Sequence, residues 1–131
     1  MHRNPSRPLS PHLSIWRWGP GMLVSILHRV TGSGLAVLGG IVFTWWLAAA
    51  ASGAEAYESF VGHATSWYGV VVWIGLTWAF FQHTASGLRH FVMDMGAGYE
   101  LSTNKFWANV TVAAAVVLTA LTWLYILGVR A

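Results

Sequence analysis

The chain has 131 residues, of which 56% are hydrophobic and only 8% charged, with a formal net charge of +3 and no cysteine. A typical soluble domain carries roughly 25% charged residues, so the composition argues against a water-soluble fold, and the length leaves no room for a second domain. Without cysteine the chain makes no disulfide, ligates no iron–sulfur cluster and does no thiol chemistry, so any redox cofactor must be held by His, Met, Tyr or noncovalent packing. The positive charges sit at the ends of apolar runs, which points to membrane topology and gives nucleic acid no role.

Residues 1–20 contain all four prolines, Pro5, Pro8, Pro11 and Pro20. Proline fixes φ and removes a backbone donor, which predicts an irregular arm followed by a helix from about Gly21. Leu9, Leu13, Ile15, Trp16 and Trp18 make this arm too apolar for a disordered tail, so it reads as a docking surface at the membrane interface. The opening residues lack both the apolar core of a signal peptide and the length of a transit peptide, which favours a bacterial inner membrane over a mitochondrial one.

Three stretches then carry no Asp, Glu, Lys or Arg: Val30 to Ala54 (25 residues), Ser59 to Leu88 (30) and Phe106 to Val129 (24). Each exceeds the ~20 residues that cross a hydrocarbon core. The expectation is an all-α membrane protein, one transmembrane domain over 1–131, with three helices over about 21–51, 62–94 and 105–129. Arg3, Arg7, Arg17 and Arg29 precede the first run, whereas the next connection carries only Glu55 and Glu58, which places the amino terminus in the cytoplasm. Trp45, Trp46, Trp67, Tyr68, Trp107, Trp123 and Tyr125 fall near the helix ends and read as interfacial anchors. In the first helix Thr31, Gly32, Ser33, Gly34, Gly39 and Gly40 permit close approach of another helix or of a flat cofactor. The Ala- and Val-rich third helix reads as structural, with no site residue.

Two polar clusters interrupt this pattern. In the second helix His83, Gly87, His90 and Asp94 follow one another at i, i+4, i+7 and i+11, so they share a stripe. Neutral imidazole is an axial ligand for haem iron, and glycine one turn away removes a side chain from the porphyrin face. If Arg89 marks the inner boundary, His83 lies roughly 9 Å inside the membrane, while His90 is at the boundary, within reach of a propionate. The alternative on spacing alone is a histidine that hydrogen-bonds across helices. His63 lies about 20 residues further along the same expected helix, too far for a second ligand, which would come from another chain. In the first helix Ser25, His28 and Arg29 share a face at i, i+3 and i+4. A hydroxyl donor, an imidazole and a fixed cation suit a quinone, whose oxygens gain charge and then protons on reduction. A positive anchor with a capping serine is the other reading.

At these residues the chain resembles the cytochrome b membrane-anchor subunits of succinate dehydrogenase, respiratory complex II. Three motifs carry the resemblance: Arg7-Pro8-Leu9-Ser10-Pro11-His12-Leu13, Ser25-Ile-Leu-His28-Arg29-Val-Thr31-Gly32, and His83-Thr-Ala-Ser-Gly87-Leu-Arg89-His90-Phe-Val-Met-Asp94. The resemblance implies a haem-binding helix bundle formed with a companion small anchor subunit. It also implies that His83 is one axial ligand of haem b, that Ser25 and Arg29 line a ubiquinone site, and that His28, Arg29 and His90 lie near the propionates. FAD and iron–sulfur clusters would reside on a flavoprotein subunit and an iron–sulfur subunit, which oxidise succinate in the citric acid cycle and feed electrons to quinone. No dicarboxylate chemistry is then expected on this chain, and a trimer of heterotetramers is the candidate higher assembly. The rivals are a haem-free structural anchor and the anchor of a quinol:fumarate reductase.

Overall fold

The computed structural model describes Ser6 and residues 16–130, and all regular structure among them is helical. The Arg7–Leu13 motif and most of the expected arm lie outside the described residues. Trp16 to Gly19 are irregular, with the Trp16 and Trp18 rings edge to face at 5.1 Å.

Helix α1 runs Pro20–Ser52. It starts where proline occupies the first turn, at a position whose missing N–H would have had no helical partner anyway. Its middle, Leu35–Gly39, is a π-helical stretch, a register change inside an otherwise α-helical rod. The half before it packs on two other helices through Val24 and Thr31, and the half after it packs on α2 (Ala54–Thr65) through Ala49. Gly53, at φ 105°, separates α1 from α2 in a conformation that favours glycine.

Helix α3 runs Trp67–Asp94 and helix α4 runs Leu101–Arg130. The sequence expectation placed one helix over 62–94; instead α2 and α3 meet at 74°. Ser66 makes the corner: its hydroxyl donates to the His63 carbonyl at 2.5 Å and accepts the Gly69 N–H at 3.2 Å, which caps α3. A Cβ at Gly69 would collide with the carbonyl oxygens of His63 and Ala64, so the corner requires glycine. His63 therefore belongs to α2 and is not a residue further up α3. Just ahead of α4, Glu100 accepts hydrogen bonds from the hydroxyls of Ser102 at 2.5 Å and Thr103 at 2.8 Å, which hold its carboxyl below the ordinary value. That contribution is present while the carboxylate is ionised and fades as pH falls through its folded pKa.

Two helices are each long and apolar enough to cross a membrane, Pro20–Ser52 and Leu101–Val129; α2 and α3 qualify only when taken together as one bent span. The distribution of side chains is that of a protein solvated by lipid. Leu, Ile, Val, Phe and Trp cover much of the exterior, whereas the buried set is mostly small or polar: Ala49, Ala79, Ala108 and Ala115 beside Thr31, Gln82, Ser86, Thr111 and Thr119, with Val24 and Phe60 as the larger members. The buried threonines return their hydroxyl protons to the carbonyl four residues back, as Thr111 does to Trp107 and Thr119 to Ala115.

Replacing Gly69 with alanine should cost about 1–3 kcal/mol, because backbone must move. Alanine at Gly75, where no atom would lie within 4 Å of the new Cβ, should instead be neutral or stabilising by ~0.5–1 kcal/mol. Unfolding in mixed micelles followed by circular dichroism separates the two, and equal midpoints would contradict this account of the corner.

Candidate functional site

The polar interior is concentrated where α1, α3 and α4 converge. His28 of α1 stacks on His83 of α3, with ring centroids 4.0 Å apart and planes 9° from parallel. His90 lies on the other side of His28, centroids 5.0 Å apart and tilted 33°. One imidazole from α1 thus sits between two from α3. The stack puts His28 level with His83.

Hydrogen bonds fix the rings. His83 Nδ1 lies 3.1 Å from the His28 carbonyl and 3.4 Å from the Thr31 hydroxyl oxygen, whose own proton goes to Leu27 at 2.7 Å. Both neighbours act as acceptors, so Nδ1 carries the proton and Nε2 keeps its lone pair. His90 Nδ1 is 2.7 Å from the Ser86 carbonyl, and His28 Nδ1 is 2.6 Å from the Ser86 hydroxyl. The ring packs this closely because of Gly32, where a Cβ would stand 2.8 Å from His83 Cε1. At Gly87 a Cβ would stand 3.8 Å from His28 Cε1.

The other expected site residues stand apart from this clasp. Ser25 is half-buried and Arg29 exposed, and neither has a hydrogen-bond or ionic partner among the described residues. Asp94 is likewise exposed and unpaired among them. A hydroxyl and a guanidinium left free on the face that carries His28 can each donate to an oxygen of a bound molecule. A cavity of about 480 Å³ opens between α3 and α4 near their connecting turn, lined by apolar residues with Arg89, and it touches none of Ser25, His28, Arg29, His83 or His90.

Residues 3–122 match the family described as the succinate dehydrogenase/fumarate reductase transmembrane subunit. The chain belongs to that family. It is 38% identical over 117 residues to the succinate dehydrogenase cytochrome b556 subunit of Paracoccus denitrificans, covering 89% of both chains. It is 30% identical to the cytochrome b556 subunit of Rickettsia felis, over 89% of this chain and 90% of that one. With the mitochondrial cytochrome b560 subunit of Mus musculus the identity is 34%, over 88% of this chain and 68% of the mouse protein.

Three polar residues escaped the sequence reading of this family member. Ser86, fully buried, ties the histidines together. Asn104, at the start of the helix expected to be purely structural, accepts from Arg89 Nη2 at 2.8 Å and donates to the Gly98 carbonyl at 3.3 Å, joining α3, the turn and α4. Gln82 is fully buried, and among the described residues its amide nitrogen and oxygen are the buried side-chain polar atoms without a partner. Uncharged polar residues raise no charge signal; the one available clue was that Ser86 and Gln82 lie within a turn of His83. Trp123, expected as an interface anchor, donates its indole N–H to Thr77 at 3.3 Å and so links α4 to α3.

Asn104→Ala should destabilise the end where α3 turns into α4 by about 1–3 kcal/mol, since it strips Arg89 of its one partner among the described residues. Asn104→Asp, which keeps the acceptor, should retain most of that stability. Thermal unfolding of the purified complex reads the difference, and an unchanged midpoint in the alanine variant would remove the hub role.

Proposed function

We propose that this chain is the cytochrome b membrane-anchor subunit of a succinate:ubiquinone oxidoreductase in a bacterial inner membrane. In this reading it crosses the membrane three times, counting α2 and α3 as one bent span, with its amino terminus in the cytoplasm. The observation that carries the site assignment is the His28–His83 pair: within a membrane-length helix, His83 has its Nδ1 proton committed to the His28 carbonyl and its Nε2 unengaged. That is what an axial haem ligand needs: a free Nε2 lone pair, with the ring held from behind by the Nδ1–H bond to the His28 carbonyl.

His83 would hold the iron of haem b, and His28, Arg29 and His90 would meet its propionates or their surroundings. The second axial ligand would come from the companion small anchor subunit, with which this chain forms the haem-binding bundle. Haem, when bound, supplies one-electron carriage between the iron–sulfur subunit and the quinone site. The flavoprotein subunit carries FAD and oxidises succinate, so no dicarboxylate binds here. Ubiquinone takes up two electrons and two protons. The free Ser25 hydroxyl would donate to one quinone oxygen, and the Arg29 guanidinium would stabilise the negative charge that gathers there during reduction. Complexes of these four subunits would associate as trimers.

Ser25→Ala and Arg29→Leu should each lower succinate:ubiquinone reductase activity at least ~10-fold, as expected for loss of a polar contact to a charged transition state, while succinate oxidation by a soluble dye stays at the wild-type rate. Equal loss of both activities would point to failed assembly and sink the quinone assignment. A second reading, a haem-free anchor, draws on the same hydrogen bonds, because every histidine of the cluster already has a protein partner at Nδ1. It requires His83→Ala to leave cofactor content and quinone reduction intact, whereas the haem reading requires loss of the b-type haem.

A further inference from the structure

Ser86 does more in this cluster than a helix serine needs to. It is fully buried on α3, three residues after His83, and its hydroxyl donates to the His83 carbonyl at 3.1 Å. A hydroxyl has one proton, and this bond uses it. With the Ser86 proton on the His83 carbonyl, the 2.6 Å contact between Ser86 Oγ and His28 Nδ1 is made by His28 donating and Ser86 accepting. His28 is thereby held flat against His83, at 4.0 Å and 9°, while its carbonyl accepts the His83 Nδ1 proton at 3.1 Å. The restraint thus passes from Ser86 to the His28 ring by a hydrogen bond, and from that ring to His83 by stacking.

We propose that Ser86 is the positioning residue of the haem-ligating imidazole: its hydroxyl fixes the ring plane of His83 through His28. This rests on His83 being the ligand. Losing the hydroxyl leaves the His28 Nδ1–H unpaired inside the membrane, so the His28 ring turns to find another acceptor and the stack loosens. His90 provides an internal contrast, since its Nδ1 is held by the Ser86 backbone carbonyl, which substitution of the side chain does not remove. Groups that hold a metal-ligating histidine from outside typically change metal affinity by 10–100-fold when removed, and a comparable loss of haem retention is expected here.

The experiment uses the intact complex with Ser86→Ala, and with the pair Ser86→Thr and Ser86→Val, which add the same methyl group and differ only in the hydroxyl. Two quantities are read: the low-spin electron paramagnetic resonance signal of oxidised haem, whose largest g-value follows the angle of the axial imidazole planes, and the rate of haem transfer to apomyoglobin. The proposal requires a shifted or broadened signal and at least ~10-fold faster haem loss in Ser86→Ala and Ser86→Val, with Ser86→Thr close to wild type. Identical behaviour of Ser86→Thr and Ser86→Val overturns it, even if Ser86→Ala fails to assemble. If the wild-type complex holds haem that His83→Ala retains, the ligand assignment fails and takes this proposal with it. If His83→Ala loses the haem and Ser86→Val does not, only the role of Ser86 falls.

Discussion

Everything in this molecule follows from having lipid, not water, outside. A buried polar group in such a setting cannot fall back on solvent, so it needs a partner on another helix or on its own backbone, and among the described residues the Gln82 amide is the buried side chain left without one. Most of the apolar side chains that would form a core in a soluble protein are on the exterior, and the buried positions go largely to alanine, threonine, serine and glutamine, with Val24 and Phe60 besides. Helix association then depends on close packing of small residues and on a few interhelical hydrogen bonds. The His28–Ser86–His83 clasp is the most connected of these, and Gly32 lets α1 come near enough to make it. Asn104 performs the same service for α4 by holding Arg89 and the preceding turn.

The two ends of α1 are consequently different in kind. Before the π-helical stretch, α1 packs along one side on α3 and α4 and carries the histidine contact; after it, α1 meets α2, with Trp45 packed edge to face on Phe60 at 5.0 Å. Gly34 and Gly40 have no atom within 4 Å of where a Cβ would be. The free Ser25 hydroxyl and the exposed Arg29 lie on a different face of α1 from Gly34. Family membership gives the larger assembly its identity as a succinate dehydrogenase or fumarate reductase.

Much of this was legible in the residues. Charge-free runs marked α1 and α4, and the i, i+4, i+7 spacing put His83, Gly87 and His90 on one stripe of α3. What the runs could not convey was the corner at Ser66, because the stretch from Ser59 to Leu88 is uninterrupted by charge and the capping serine with its glycine three residues later looked like ordinary small residues. The relative height of α1 and α3 was also out of reach: only interhelical packing makes His28 and His83 level. Ser86, Gln82 and Asn104 went unnoticed for a related reason. Their importance lies in what they touch across helices, and sequence spacing describes a helix only along itself.

The central claim is that His83 sits in a cytochrome b anchor and binds haem there. The most direct test is an optical difference spectrum, reduced minus oxidised, of the complex purified through a tag on this chain, recorded with succinate and then with dithionite. The account predicts sharp b-type bands after reduction, present in proportion to this subunit. Flavin and iron–sulfur subunits that co-purify with no haem band under either reductant would contradict it and leave the histidine cluster as a structural clasp.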